Sequence, residues 1–210
     1  MQLKPYSASV MPRISQEGIE HLNEKQLNEL TAQFQVFYDK APVNYARARG
    51  RYFLVYLFLR YTGARVSEVT GINDQADIDF RAGDITMNIL KRQNPKKKNS
   101  RKIVSVPLQA VNELARYLAQ FPEMKGKAFA VSRVNFFTVF RKLCSRAGIP
   151  GELAHPHVLR HTRAIELVRA GVPLSIVQQI LGHSLLNTTA IYLQFTGAES
   201  KQILKEKGLI

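Results

Sequence analysis

The stretch Asp84-Ile-Thr-Met-Asn-Ile-Leu-Lys91 alternates Ile85, Met87 and Ile89 with Thr86, Asn88 and Leu90. A period of two is the mark of a strand with one buried face. Upstream, Asp77 to Phe80 reads as a weaker strand before the Arg81-Ala-Gly83 turn, and downstream Ile103-Val-Ser-Val106 resumes the pattern. Everything around this block has helical spacing. The chain is therefore expected to be mainly α with a small antiparallel β-sheet, an α+β fold.

Before the sheet, Leu27, Leu30, Phe34 and Phe37 recur at helical spacing between Lys25 and Tyr38, and Pro42 breaks the run. A second helix is expected from about Tyr45 to Tyr61, stopping at Gly63. Its apolar residues, Phe53 and Val55 to Leu59, cover most of its circumference, which places it at the centre of the core. After the sheet, helices are expected over 108–121, 133–147, 157–170, 173–181 and 188–195, with an amphipathic tail around 199–207. Residues 1–24 read as a lead-in segment, because Pro5, Pro12 and Gly18 punctuate it without periodicity.

Composition narrows the partner. The 210 residues carry 30 Lys+Arg against 16 Asp+Glu, a net charge of +14. A polyanion such as nucleic acid is the natural complement. The excess belongs to the main body, since up to residue 40 four bases (Lys4, Arg13, Lys25, Lys40) meet five acids (Glu17, Glu20, Glu24, Glu29, Asp39). A single cysteine, Cys144, in an apolar helix suggests a buried thiol and a reducing compartment, the cytoplasm. No apolar run approaches the ~18 residues of a membrane span, and no signal peptide is visible.

Several positions carry chemistry. His157 and Arg160 lie three apart at the start of a helix that Pro156 is placed to open, next to backbone N–H groups that favour an anion. His155, His157 and His161 raise the idea of a metal, but no acidic residue accompanies them and Arg160 lies among them, so none is expected. Arg65, in Thr62-Gly-Ala-Arg-Val-Ser-Glu68, would either pair with Glu68 or grip a phosphate. From Lys91 to Lys102 seven bases occur without an acid. Within that run Arg92, Lys96, Lys97, Lys98, Arg101 and Lys102 are expected to contact backbone phosphates. Lys91, fixed at the strand end, is the candidate for positioned proton donation. The run Leu181-Gly-His-Ser-Leu-Leu-Asn-Thr-Thr-Ala-Ile-Tyr192 adds His183 and a tyrosine. Taken alone, 173–195 would also pass for a helix-turn-helix.

In order, Arg65, Lys91, His157, Arg160, His183 and Tyr192 resemble the active-site set of the tyrosine recombinases, the phage integrase family. The resemblance covers roughly residues 25–197 and implies that family's catalytic-domain fold. It implies that Arg65 and Arg160 hold the scissile phosphate, that His183 adds a hydrogen bond and that His157 assists proton removal from Tyr192. Tyr192 would attack phosphorus to give a 3′-phosphotyrosyl bond, and Lys91 would protonate the departing 5′ oxygen. No cofactor is implied, because the phosphotyrosine conserves the bond energy for rejoining.

The implied function is site-specific recombination of double-stranded DNA with inverted half-sites, in a homotetramer on synapsed DNA. Residues 198–210 would form a tail helix docking on a neighbouring protomer. With 64 residues before Arg65, the chain resembles the catalytic domain alone, as in fimbrial-switch invertases. The alternatives are a type IB topoisomerase-like nicking-closing enzyme and a non-catalytic DNA-binding regulator.

Overall fold

The computed structural model describes residues 14–15, 18–89 and 100–182. The expected helix at 188–195, the C-terminal tail, and Lys91, Arg92, Lys96, Lys97, Lys98, His183 and Tyr192 lie outside these residues.

Helix α1, Glu24–Asp39, begins where Asn23 accepts from the Gln26 backbone N–H while the Gln26 side chain takes the Asn23 N–H. This reciprocal pairing satisfies two amides that a helix start leaves open. Its buried stripe is Leu27, Leu30, Phe34 and Tyr38. Phe37, expected in that stripe, lies at its margin, with Arg49 4.5 Å above its ring. Helix α2, Val43–Thr62, is buried from Phe53 to Leu59 on all sides. The ring of Tyr56 stacks on Phe34 with centroids 4.1 Å apart, joining α1 to α2.

A single helical turn, α3 (Val66–Val69), leads into the sheet. Naming the two-residue strands Ile14–Ser15 and Gly18–Ile19 β1 and β2, the sheet runs β3 (Ile78–Asp79), β4 (Asp84–Ile89) and β5 (Ser100–Ser105), antiparallel in the order β3-β4-β5. Ile85 and Met87 are fully buried, as their alternation requires. Strand β5 starts three residues earlier than its apolar pattern, because pairing with β4 extends to Ile89↔Ser100. The pleat then puts Lys102, Val104 and Val106 on the buried face, and Ile103 outside at 66% exposure.

Helices α4 (Leu108–Gln120), α5 (Arg133–Arg146), α6 (His157–Arg169) and α7 (Leu174–Leu181) follow within a residue or so of their expected limits. Most of the buried side chains form one core centred on α2, and a smaller cluster joins α6 and α7 to Ile19. The lead-in is thus docked at its end: Ile19 is buried and the Leu22 N–H donates to Thr162 Oγ1 at 3.0 Å. Cys144 is buried in α5, and burial pushes its thiol up to about 12.

Candidate active site

The site is organised by the end of α2. Gly63 closes that helix in the left-handed region, at φ 61°, with its N–H donating to Leu59 O. A Cβ there would lie 2.7 Å from Leu181 Cδ2 and 3.3 Å from the Arg163 side chain, so α2, α6 and α7 converge on a position that only glycine fills without strain. The carbonyl of Gly63 accepts from Arg160 Nη1 at 2.8 Å. That bond carries the buried guanidinium of α6 to the segment bearing Arg65, which lies two residues beyond Gly63.

Arg65 precedes α3 and is anchored by Glu68. The Arg65 backbone N–H donates to Glu68 Oε2 at 3.0 Å, and its Nη1 donates to Glu68 Oε1 at 3.0 Å. The Glu68 side chain is fully buried, whereas about a third of the Arg65 side chain (36%) faces solvent. The pairing with Glu68 and the presentation of a guanidinium outward are therefore compatible. Glu68 orients Arg65 without covering it.

Arg160 is 5% exposed and His157, one turn earlier, is exposed at the surface. His157 is held well below its ordinary value, to about 4, first by the protein crowding its ring and then by the positive charges of Arg160, His155, Arg65 and Arg133. Its imidazole is neutral near pH 7 and able to accept a proton. His161, on the next turn, is lowered to about 4 by burial and by His157 and Arg160. His155 lies 3.9 Å from Glu20. Among the described residues, no three His, Cys, Asp or Glu side chains gather as a metal site.

Two members of the basic run are described, and neither is a simple solvated lysine. Arg101 is outside, but pairs with Asp77 at 2.6 Å across the sheet. Lys102, expected to contact DNA phosphate, is instead turned into the protein and 6% exposed. Its Nζ donates to Ile180 O at 2.7 Å and lies 3.7 Å from Glu68 Oε2. Burial lowers its pKa to about 8; Glu68 opposes the shift, while Arg160 and Arg65 add to it. The pleat of β5, set by its pairing with β4, overrides the composition of the run and turns Lys102 inward.

Arg65 and Lys102 thus meet at one buried carboxylate, Glu68, with the guanidinium of Arg160 held at Gly63 O and a neutral imidazole at the rim. A concentration of positive charge of this kind suits a phosphodiester. The field extends along α5, where Arg133, Arg141, Lys142 and Arg146 are all exposed and no acid intervenes. No motif marks that face in the sequence, although its lack of acidic residues is visible there.

A model of the phage integrase family matches residues 20–199. A tyrosine recombinase of Thermosipho africanus is 30% identical over 199 residues, covering 93% of this chain and 64% of the relative. Tyrosine recombinase XerD of Shewanella oneidensis is 29% identical over 213 residues, covering 95% and 65%. The chain therefore spans just under two thirds of the length of these curated relatives. Among solved structures, XerA recombinase aligns with a TM-score of 0.67 at 24% identity, over 98% of this chain and 66% of that one. The catalytic domain of bacteriophage HP1 integrase aligns with a TM-score of 0.58 at 24% identity, over 86% and 91%. The fold is that of tyrosine recombinase catalytic domains.

Proposed function

The chain belongs to the phage integrase family, and from that membership we propose that it is a site-specific recombinase that cuts and rejoins duplex DNA through Tyr192. The observation that carries the reading is the meeting of Arg160 with the Arg65 segment at Gly63, beside His157. Two guanidinium groups at one corner match the non-bridging oxygens of a phosphodiester, on which charge accumulates during attack.

The steps follow from these groups. The Tyr192 oxygen attacks phosphorus, and its proton passes to neutral His157. Arg65 and Arg160 stabilise the developing charge, with His183 donating a further hydrogen bond. The bond to the 5′ oxygen breaks, and Lys91 gives that oxygen its proton. The 3′ end remains on Tyr192 as a phosphotyrosine until a 5′ hydroxyl attacks it, reversing the steps and freeing the phenol. Unassisted, a tyrosine with pKa near 10 is only ~0.1% ionised at neutral pH, so both the base and the surrounding cations matter.

The substrate is double-stranded DNA with inverted half-sites, and the working assembly is a homotetramer on synapsed DNA. Residues 25–197 supply the catalytic unit, and 198–210 dock on a neighbouring protomer. Arg92, Lys96, Lys97, Lys98 and Arg101 contact the DNA backbone, and the exposed bases of α5 extend that surface. Arg101 must exchange its pairing with Asp77 for phosphate.

The test is a supercoiled plasmid carrying two copies of the DNA that flanks the gene. Recombination predicts inverted or deleted plasmids that retain their strand content. Relaxed circles without rearrangement would indicate the nicking-closing reaction instead. An unchanged plasmid that is nevertheless bound would favour a regulator.

A further inference from the structure

We propose that Lys102 is a positioning residue for strand cleavage, tying the last turn of α7 to Glu68 and so fixing where the chain leaves for His183 relative to Arg65. The inference rests on the recombinase reading above. Lys102 is a buried charge for which that mechanism gives no role.

The geometry forms one connected chain of contacts. From β5, Lys102 Nζ donates to Ile180 O, a carbonyl in the final turn of α7. Carbonyls in that turn lack amide partners within the helix, and a cation there also meets the negative end of the helix dipole. The same ammonium lies 3.7 Å from Glu68 Oε2. Glu68 in turn accepts the backbone N–H and Nη1 of Arg65. On the α7 side, Gly182 ends the helix at φ 71°, and a Cβ on it would lie 3.6 Å from Lys102 Nζ. One ammonium thus links the residue that orients Arg65 to Ile180, in the last turn of the helix that Gly182 ends just before His183.

Burying an ammonium is costly unless carbonyl and carboxylate partners surround it, and an apolar side chain of similar length would fill the space without that cost. The charge is what the arrangement uses. Its side chain is only 3% exposed, and the bonds to Ile180 and Glu68 assign it to holding the site.

The experiment compares wild type, Lys102→Met and Lys102→Arg on a pool of nicked suicide duplexes tiled across the DNA flanking the gene. Lys102→Met should keep DNA binding but slow covalent adduct formation at least ~10-fold, the scale of losing a charged buried hydrogen bond. Lys102→Arg, which keeps the charge, should recover part of that loss. Hydrogen exchange at the end of α7 should quicken in Lys102→Met. Substituting sulfur for the bridging 5′ oxygen, which removes the need for a proton, should not rescue it.

Where Lys102→Met alone does not fold, the pair Lys102→Met, Glu68→Gln removes both buried charges and is compared with Glu68→Gln alone, than which it should form adduct more slowly. Unchanged adduct formation in the folded variant would overturn the proposal. So would rescue by sulfur, which would make Lys102 the proton donor. Absence of adduct from wild type would instead count against the recombinase reading itself.

Discussion

At the scale of single residues, the site is governed by how each charge is compensated. Glu68 is buried, yet it holds Arg65 by both backbone and side chain and lies beside Lys102. His157 and His161 take the opposite course and stay neutral. His157 and His161 are both held at about 4, below the ~6.5 of an unfolded histidine. Between those values the unfolded chain binds more protons than the native one, so stability present above pH ~6.5 is lost progressively as pH falls toward ~4. Thermal melts over that range should show a falling Tm, and His161→Gln should remove the larger share of the histidine contribution, since His161 is the less exposed of the two. A pH slope identical in wild type and variant would refute this assignment.

At the scale of elements, the convergence of α2, α6 and α7 on Gly63 positions both arginines. Gly63→Ala combines a left-handed backbone with an overlap against Leu181 Cδ2. Gly148 is left-handed too, at φ 67°, but nothing lies within 4 Å of the Cβ it lacks. Urea denaturation should give a loss of ~2–3 kcal/mol for Gly63→Ala against ~1 kcal/mol for Gly148→Ala. Equal losses would mean that the convergence contributes nothing beyond backbone strain.

These elements were largely legible in the sequence, because long helices and the Ile85–Ile89 alternation bury one face at a fixed period. The short ones were not. Neither α3 nor the pairing of Ile14–Ser15 with Gly18–Ile19 is long enough to repeat a pattern. Lys102 was misread for a related reason. Its neighbours in sequence are basic, while its neighbours in space follow from the pairing of Met87 with Lys102. The motifs single out Arg65, His157 and Arg160, and the structure sets Arg160 against the segment that bears Arg65. Their meeting depends on a backbone carbonyl, Gly63 O, that no side-chain pattern reveals.

At the scale of the whole molecule, the proposed reaction would use the net charge of +14 for long-range attraction to DNA and the cluster around Arg160 for short-range stabilisation of one phosphate. The two contributions are separable. Replacing Lys96, Lys97 and Lys98 together by Ala should weaken binding and flatten its salt dependence, by up to ~1 unit of log slope for each phosphate no longer neutralised. Cleavage of DNA already bound should change little. A steep fall in cleavage at saturating DNA would move those lysines into the chemistry. Covalent joining of Tyr192 to DNA can be tested more directly. Wild type and Tyr192→Phe are incubated with the tiled pool of suicide duplexes, denatured, and resolved on a gel, and any adduct is digested and sequenced by mass spectrometry. Wild type should give a DNA-linked peptide containing Tyr192, and Tyr192→Phe should bind DNA but yield no adduct. An undiminished adduct from Tyr192→Phe, or one mapped to another residue, would contradict this role of Tyr192.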